Sequence, residues 1–504
     1  MSIKRYPATS DNTITNAYKT DLKTRATGSN MGASDILEVF HIHGQASSAS
    51  SENSRALVQF PIDTISDDRG AGTIPDSGSV DFFLRLYNAK HSQTLPKNFE
   101  LVVSAISEGW EEGNGLDMEG YTDLSYDQTG SNWTTRLGST SWTTQGGSYL
   151  TDASSSFTAS FATGTEDMEL NITPLVEQWI NSTGNVLGSK TNNGLGIRFT
   201  ATAESASVSY YTKKFFARGT EFFYKQPSIE ARWDSTKKDN RGNFQYSSSL
   251  SPATGNLNNL YMYNVIRGQL RDIPTVGTGR IFVSLYSGTA ANTAPSDSRL
   301  NLSFGGDVPA DKAHCATGSW VSTGIYSASL AFTGSSAITK IYDVWHSGNV
   351  EFHTGSIVTE TLAASSVSPN PTYFTKITNL KSEYSTREYS ARFRVFVREH
   401  DWSPTVYTVA STDIENKVID NAYFKVFRVV DELQVIPYAT GSAGDPQIVG
   451  STESYTRLSY DDDGNYFDLD IGMLEPGYSY GIQFLYHYNK SYREQPEIFK
   501  FRVK

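Results

Sequence analysis

Ala391-Arg392-Phe393-Arg394-Val395-Phe396-Val397-Arg398 alternates residue by residue. Ala391, Phe393, Val395 and Val397 fall on one face of an extended chain, and Arg392, Arg394 and Arg398 on the other. That is the period of a half-buried antiparallel strand. The pattern recurs at Tyr478, Tyr480, Ile482, Phe484, Tyr486 and Tyr488, and again where Phe499, Phe501 and Val503 interleave with Lys500, Arg502 and Lys504. Further strands are read at 80–87, 99–106, 195–201 and 280–286. One segment has helical spacing: Ile172, Leu175, Val176, Trp179 and Ile180 fall at i, i+3, i+4, i+7 and i+8. Thr173 is its expected cap, Pro174 its first position and Gly184 its stop. The expected fold class is all-β, with this helix as a crossover over the end of a sandwich and its apolar face in the core.

Composition agrees with many short strands and turns. Of 504 residues 38% are hydrophobic and only 19% charged, yet 12% are aromatic, with 29 Tyr, 26 Phe and 40 Gly. Disordered chains lack aromatics, so this polar chain has the material for cores. At roughly 150 residues per domain the length suggests about three domains. No apolar run reaches the span of a bilayer, and residues 1–30 show no signal-peptide apolar stretch. The net charge of −12 and the lack of a basic cluster argue against nucleic acid. Cys315 is the only cysteine, which excludes disulfide scaffolds and zinc knuckles.

The chain divides by composition. A first domain is expected over 1–234, ending at Trp233-Asp234. Residues 235–259 are rich in Ser, Asn and Gly and read as a polar linker or extended arm. A second domain is expected over 260–363, a short linker over 363–371, and a third domain over 372–504.

The first segment carries a fixed order of pieces. They begin with Asn30-Met31-Gly32-Ala33-Ser34, then Arg55-Ala56-Leu57-Val58-Gln59-Phe60-Pro61-Ile62-Asp63 and Phe83-Leu84-Arg85-Leu86-Tyr87. Gly109-Trp110-Glu111-Glu112-Gly113 and Asn132-Trp133 follow, then the helix and Gly194-Leu195-Gly196-Ile197-Arg198-Phe199, then Lys214-Phe215-Phe216-Ala217-Arg218 and Pro227-Ser228-Ile229-Glu230. This order resembles the DNRLRE-type β-sandwich, a jelly roll like carbohydrate-binding modules, found on bacterial surface proteins and in phage particles. Residues 224–234, with Tyr326-Ser327-Ala328-Ser329, Tyr342-Asp343-Val344-Trp345 and 351–357, resemble virion structural proteins of contractile-tailed marine phages. There such a jelly roll is followed by immunoglobulin-like domains. Leu474-Glu475-Pro476-Gly477-Tyr478-Ser479-Tyr480 resembles the corner of fibronectin type III sandwiches. There Pro476-Gly477 makes the turn and Tyr480 reaches back across it.

Candidate chemistry is sparse. Glu111 and Glu112 lie near Trp110 and Trp133, but neighbours on a strand point to opposite faces and cannot flank one glycosidic bond. Trp110 and Trp133 are read as core, with sugar stacking as the rival role. His41 and His43 share a strand face at a spacing that suits a metal, but no further ligand joins them, so they read as a partly exposed surface pair. His346 and His353 read the same way. Asp461-Asp462-Asp463-Gly464-Asn465 invites calcium, but Tyr466 stands where an EF-hand needs glycine, and Asp-Gly is a hairpin turn. No nucleophile elbow, phosphate loop or His-Glu-x-x-His occurs.

The expected site residues are therefore structural: Trp110, Trp133 and Trp179 in the first core and Tyr480 in the last. No catalytic residue, metal or cofactor is expected. The resemblance implies a non-enzymatic component of a tailed bacteriophage virion, on the tail, neck or baseplate side. It would be made in the bacterial host cytoplasm and would pack against other virion proteins and copies of itself. The alternative is an adhesin reading host surface polysaccharide through Trp110 and Trp133. Neither reading involves nucleic acid or a membrane.

Overall fold

The computed structural model describes residues 2–116, 130–181, 186–287, 299–303, 315–332, 338–360, 371–388, 390–400, 405–411, 416–440, 454–488 and 491–504. The chain is all-β and forms two compact units, one of residues 2–234 and one of the described residues after 234. Among the described residues no helix is long and apolar enough to cross a membrane.

The first unit stacks two antiparallel sheets. One has four strands in the order Ile3–Pro7, Ser228–Arg232, Asp81–Leu86, Met168–Asn171. The other has seven, running Tyr210–Phe216, Ile36–His43, Ser51–Gln59, Leu195–Phe199, Phe99–Ala105, Ser156–Phe161, with Ser10–Thr15 also paired to Ser51–Gln59. Alternate residues of each strand meet between the sheets. Phe82, Leu84, Ile229 and Ala231 come from one side, and Ala56, Val58, Leu101, Val103, Leu195 and Ile197 from the other. Each large apolar side chain so buried contributes about 1.5–3 kcal/mol.

The helix expected near 172–180 runs from Thr173 to Ile180, with Pro174 in its first turn and Leu175, Val176 and Trp179 buried. Its cap differs from the expected one. The Thr173 hydroxyl accepts from the Phe82 amide at 2.8 Å, while Asn171 Oδ1 accepts from the Thr173 amide at 3.0 Å. The stop is Asn181, whose left-handed φ of 46° ends the helix; Gly184 lies outside the described residues. A second helix, Ile62–Gly70, was not expected. It buries Ile62, Ile65 and Arg69, and Arg69 meets Glu177 of the first helix at 2.7 Å, both side chains under 5% exposed. A charged residue on its inner face masked the apolar spacing.

In the second unit, one sandwich is a single eight-stranded sheet folded on itself. Ala316–Ser322 pairs at its start with Ile281–Ser287 and at its end with Ile325–Phe332, so one strand serves both layers. Val283, Leu285, Tyr326, Leu330, Ile341 and Trp345 fill the space between. The other sandwich faces the four-stranded order Tyr373–Ile377, Ala391–Glu399, Gly464–Leu469, Ser459–Asp461 against a six-stranded sheet centred on Ala422–Arg428 and Ser479–Tyr488. The alternation at 391–398 aims Phe393 inward. Its ring centroid lies 5.1 Å from Phe467 beside it and 6.1 Å from Phe501 of the opposite sheet.

Residues 235–259, expected as a linker or arm, are folded into this unit. Phe244–Gln245 pairs in parallel with Thr359 and Glu360, and Phe244 and Tyr246 are buried in the first of its sandwiches. Just before them, the Asp239 amide donates to Tyr460 O and the Tyr460 amide to Lys237 O, each at 3.0 Å, which ties the segment to the other sandwich. The high polar content hid a two-residue period at Phe244 and Tyr246. The expected linker at 363–371 lies outside the described residues except for Pro371.

Candidate functional site

Two of the three tryptophans singled out in the sequence, Trp110 and Trp133, join Trp142, which was not, in a second, smaller core on the outer face of the seven-stranded sheet. Strand alternation sends Ala56 and Val58 inward, so Leu57 and Arg55 face out. The chain after Phe99–Ala105 folds back over that face. Trp110, Trp133 and Trp142 close on Leu57, Ile14 and Ile106. Trp110 and Trp133 are 8% and 7% exposed, so neither ring offers a face for a sugar to stack on. Trp110 Nε1 donates to Asn193 O at 2.8 Å and Trp142 Nε1 to Asn132 O at 2.9 Å. Trp179 belongs to the main core.

Arg55 is the centre of this layer. Its guanidinium lies 4.9 Å from the Trp133 ring and 5.7 Å from the Tyr149 ring. It donates to both carboxylate oxygens of Glu204, at 2.9 and 2.6 Å, and to Gly146 O at 2.8 Å. Paired and planar, it carries its charge into an aromatic layer at tolerable cost. Gly146 has φ +82°, and a Cβ there would stand 2.8 Å from the Trp133 ring, so the close approach requires glycine.

Glu111 and Glu112 do point apart. Glu111 is exposed, while Glu112 turns inward to a partner the sequence did not suggest. Its carboxylate accepts from the Asp11 amide at 2.8 Å and from Arg218 at 2.8 and 3.0 Å, and the Asp11 carboxylate accepts from the Arg218 amide at 2.5 Å. Burial, helped by the Glu112 charge and opposed by the Arg218 amide, pushes the Asp11 carboxyl up to about 7. A carboxyl poised there is the usual equipment of acid–base catalysis. Asp11 is 1% exposed, however, and a proton donor must reach its substrate. The group ties the strand Ser10–Thr15 to the segments carrying Glu112 and Arg218.

A buried lysine was missed as well. Lys213 Nζ donates to Asn88 Oδ1, Gly164 O and Glu166 O at 2.6, 2.8 and 2.7 Å. Burial lowers its pKa to about 8. Three acceptors take its three protons, which makes it a strut rather than a nucleophile.

Of the histidines expected at the surface, His43 is partly exposed and His353 exposed, but His41 and His346 are buried. His41 is fully buried, with Nδ1 2.7 Å from Asn53 Oδ1 and Nε2 3.0 Å from Ala206 O. His346 is buried beside Ser284 at 2.9 Å, and Ser284 Oγ lies 3.2 Å from Cys315 Sγ; His353 is exposed. Across the hairpin His353 pairs with Trp345 and His346 with Glu351, so the two histidines are not cross-strand partners. The residues of this Ser–His–Cys cluster are spread over three parts of the chain, and no local motif announces them. Among the described residues, Asp461, Asp462 and Asp463 form the one acidic, histidine or cysteine group close enough to hold an ion. Arg394 already meets Asp461 at 2.5 Å and Asp463 at 3.6 Å.

At the far end of the chain, Tyr480 is fully buried and its hydroxyl donates to Glu475 O at 2.8 Å, over a turn in which Gly477 has φ +92°. No family model matches the chain, and no curated protein sequence matches it.

Proposed function

We propose that the chain is a non-enzymatic structural component of a tailed-phage particle, on its tail, neck or baseplate side, acting by packing against neighbours in a symmetric array. In this reading the first unit is a DNRLRE-like jelly roll and the later sandwiches are immunoglobulin- or fibronectin-like. The reading is carried by one observation: the residues best suited to sugar binding or proton transfer are consumed in holding the fold. Trp110 and Trp133 are packed around Arg55, Asp11 and Glu112 are locked to Arg218, and Lys213 is fully bonded. Sandwiches whose candidate chemical groups are bonded internally suit a role in which shape and surface do the work. The order of blocks resembling phage virion proteins supports the same conclusion.

The test is particle composition. Particles banded from a lysate of the producing bacterium should contain the chain at fixed stoichiometry. Its absence from particles, together with loss of viscosity when it is incubated with host polysaccharide, would contradict the reading.

A further inference from the structure

We infer that the hairpin around residues 263–271 is a docking finger that engages an acidic face of a second copy of this chain. Val265 and Ile266 pair with Leu270 and Gln269, and the turn residues Arg267 and Gly268 have φ +54° and +78°. Two positive φ values mark the tight turn whose twist suits a hairpin. Yet among the described residues this two-stranded sheet pairs with no further strand. Val265 is 56% exposed, and Ile266 and Leu270 are each 41% exposed. An isolated two-stranded hairpin is marginal in water, and clustered exposed aliphatics mark contact surfaces.

The base is fixed. Asn264 N donates to Gly324 O at 2.7 Å, Asn264 Nδ2 to Arg271 O at 2.6 Å, and Asp272 Oδ1 accepts from Trp320 Nε1 at 2.9 Å and Gly324 N at 2.6 Å. A fixed base lowers the ordering cost of binding.

Charge selects the occupant. Arg267 and Arg271 are exposed and residues 259–271 hold no acid, so the finger is cationic on a chain of net charge −12. Two fingers meeting tip to tip would crowd four guanidinium groups, which rules out pairing of like with like. The chain does present acidic surface: between residues 62 and 80 Asp63, Asp67 and Asp76 are exposed, Arg69 is buried against Glu177, and Lys4 is taken up by Asp68. A finger on one unit and a receptor on the other, joined between copies, make a heterologous contact, the kind that closes rings or extends tubes. With few side chains involved it is weak in solution and gains strength through repetition.

This inference rests on the assembly reading and is tested apart from it. The full chain carrying Gln269→benzoylphenylalanine is irradiated across a concentration series at low and high salt. Expected are covalent dimers and higher species at low salt, linked outside residues 263–271 of the neighbour. They should be lost at high salt, with R267E/R271E, and with V265N/L270N, all with unchanged circular dichroism. No crosslinked dimer at any concentration, or a dimer indifferent to both double substitutions, overturns the finger. So does a finger-to-finger link, or co-sedimentation with phosphatidylglycerol vesicles in place of dimer formation. If the finger fails while particles still contain the chain at fixed stoichiometry, the assembly reading stands alone.

Discussion

The hydroxyl of Tyr480 donates a 2.8 Å hydrogen bond to the carbonyl oxygen of Glu475, tying the start of the strand Ser479–Tyr488 to the turn before it. Tyr480 is fully buried and its ring lies 5.9 Å from Phe501 of the neighbouring strand. Tyr480→Phe keeps the ring and strands the carbonyl, at a cost of about 1 kcal/mol, while Tyr480→Ala opens a cavity and costs about 3–5 kcal/mol. Urea unfolding followed by hydrogen exchange over 474–486 reads both. Equal effects of the two substitutions would show that the hydrogen bond, not the ring, dominates.

Arg55 and Glu204 should behave as a unit. Their side chains are 14% and 12% exposed, so removing one leaves a largely buried charge alone. Arg55→Met is expected to cost about 3–5 kcal/mol and to blunt the near-ultraviolet signal of Trp133, whereas Arg55→Met with Glu204→Gln should cost less than Arg55→Met alone. Additive losses in a double-mutant cycle would mean that the pair is not coupled.

Asp11 sets a pH dependence in the first unit. Its folded pKa of about 7 lies above the ordinary carboxylate value of 3.8. Between those limits the folded state keeps a proton that the unfolded chain has released. Stability therefore falls as pH rises from about 4 to 7 and this contribution is flat above. Asp11→Asn should flatten that slope. Tryptophan fluorescence weights the signal toward this unit, because five of the eight tryptophans lie in residues 2–234. Glu230 acts in another window. Burial opposes its charge, but Arg5 and Arg232 outweigh burial and hold its carboxyl far below the usual range. Its stabilisation is present above about 4.5 and is lost on further acidification. A slope over pH 4–7 unchanged by Asp11→Asn would contradict the assignment.

Lys213→Met discriminates between a strut and a burden. If the contacts to Gly164 O and Glu166 O hold the loop at 163–167 to the sheet, with Asn88 Oδ1 as the third acceptor, the substitution lowers the melting temperature by several degrees, since the acceptors lose their donor. A rise in melting temperature would mean that desolvating the ammonium outweighs its bonds.

The strands were legible where alternation was clean. Residues 391–398 and 478–488 lie within Ala391–Glu399 and close to Ser479–Tyr488, because one buried face imposes a strict period of two. The helix at Thr173–Ile180 was legible for the analogous reason. Ile62–Gly70 was not, because its inner face includes Arg69, whose partner Glu177 is 108 residues away. The same distance problem hid Asp11 from Glu112 and Arg55 from Glu204. Local pattern reports what a residue buries; it does not report which distant group satisfies it. The burial of Trp110 and Trp133 depended on that long-range folding-back, which is why composition alone left sugar stacking open.

The proposed assembly role is tested most directly by a density map of the intact particles from the producing bacterium. A structural component should appear there repeated in a symmetric array, with residues 263–271 seated against an acidic surface of a neighbouring copy. Particles lacking the chain altogether would contradict that role.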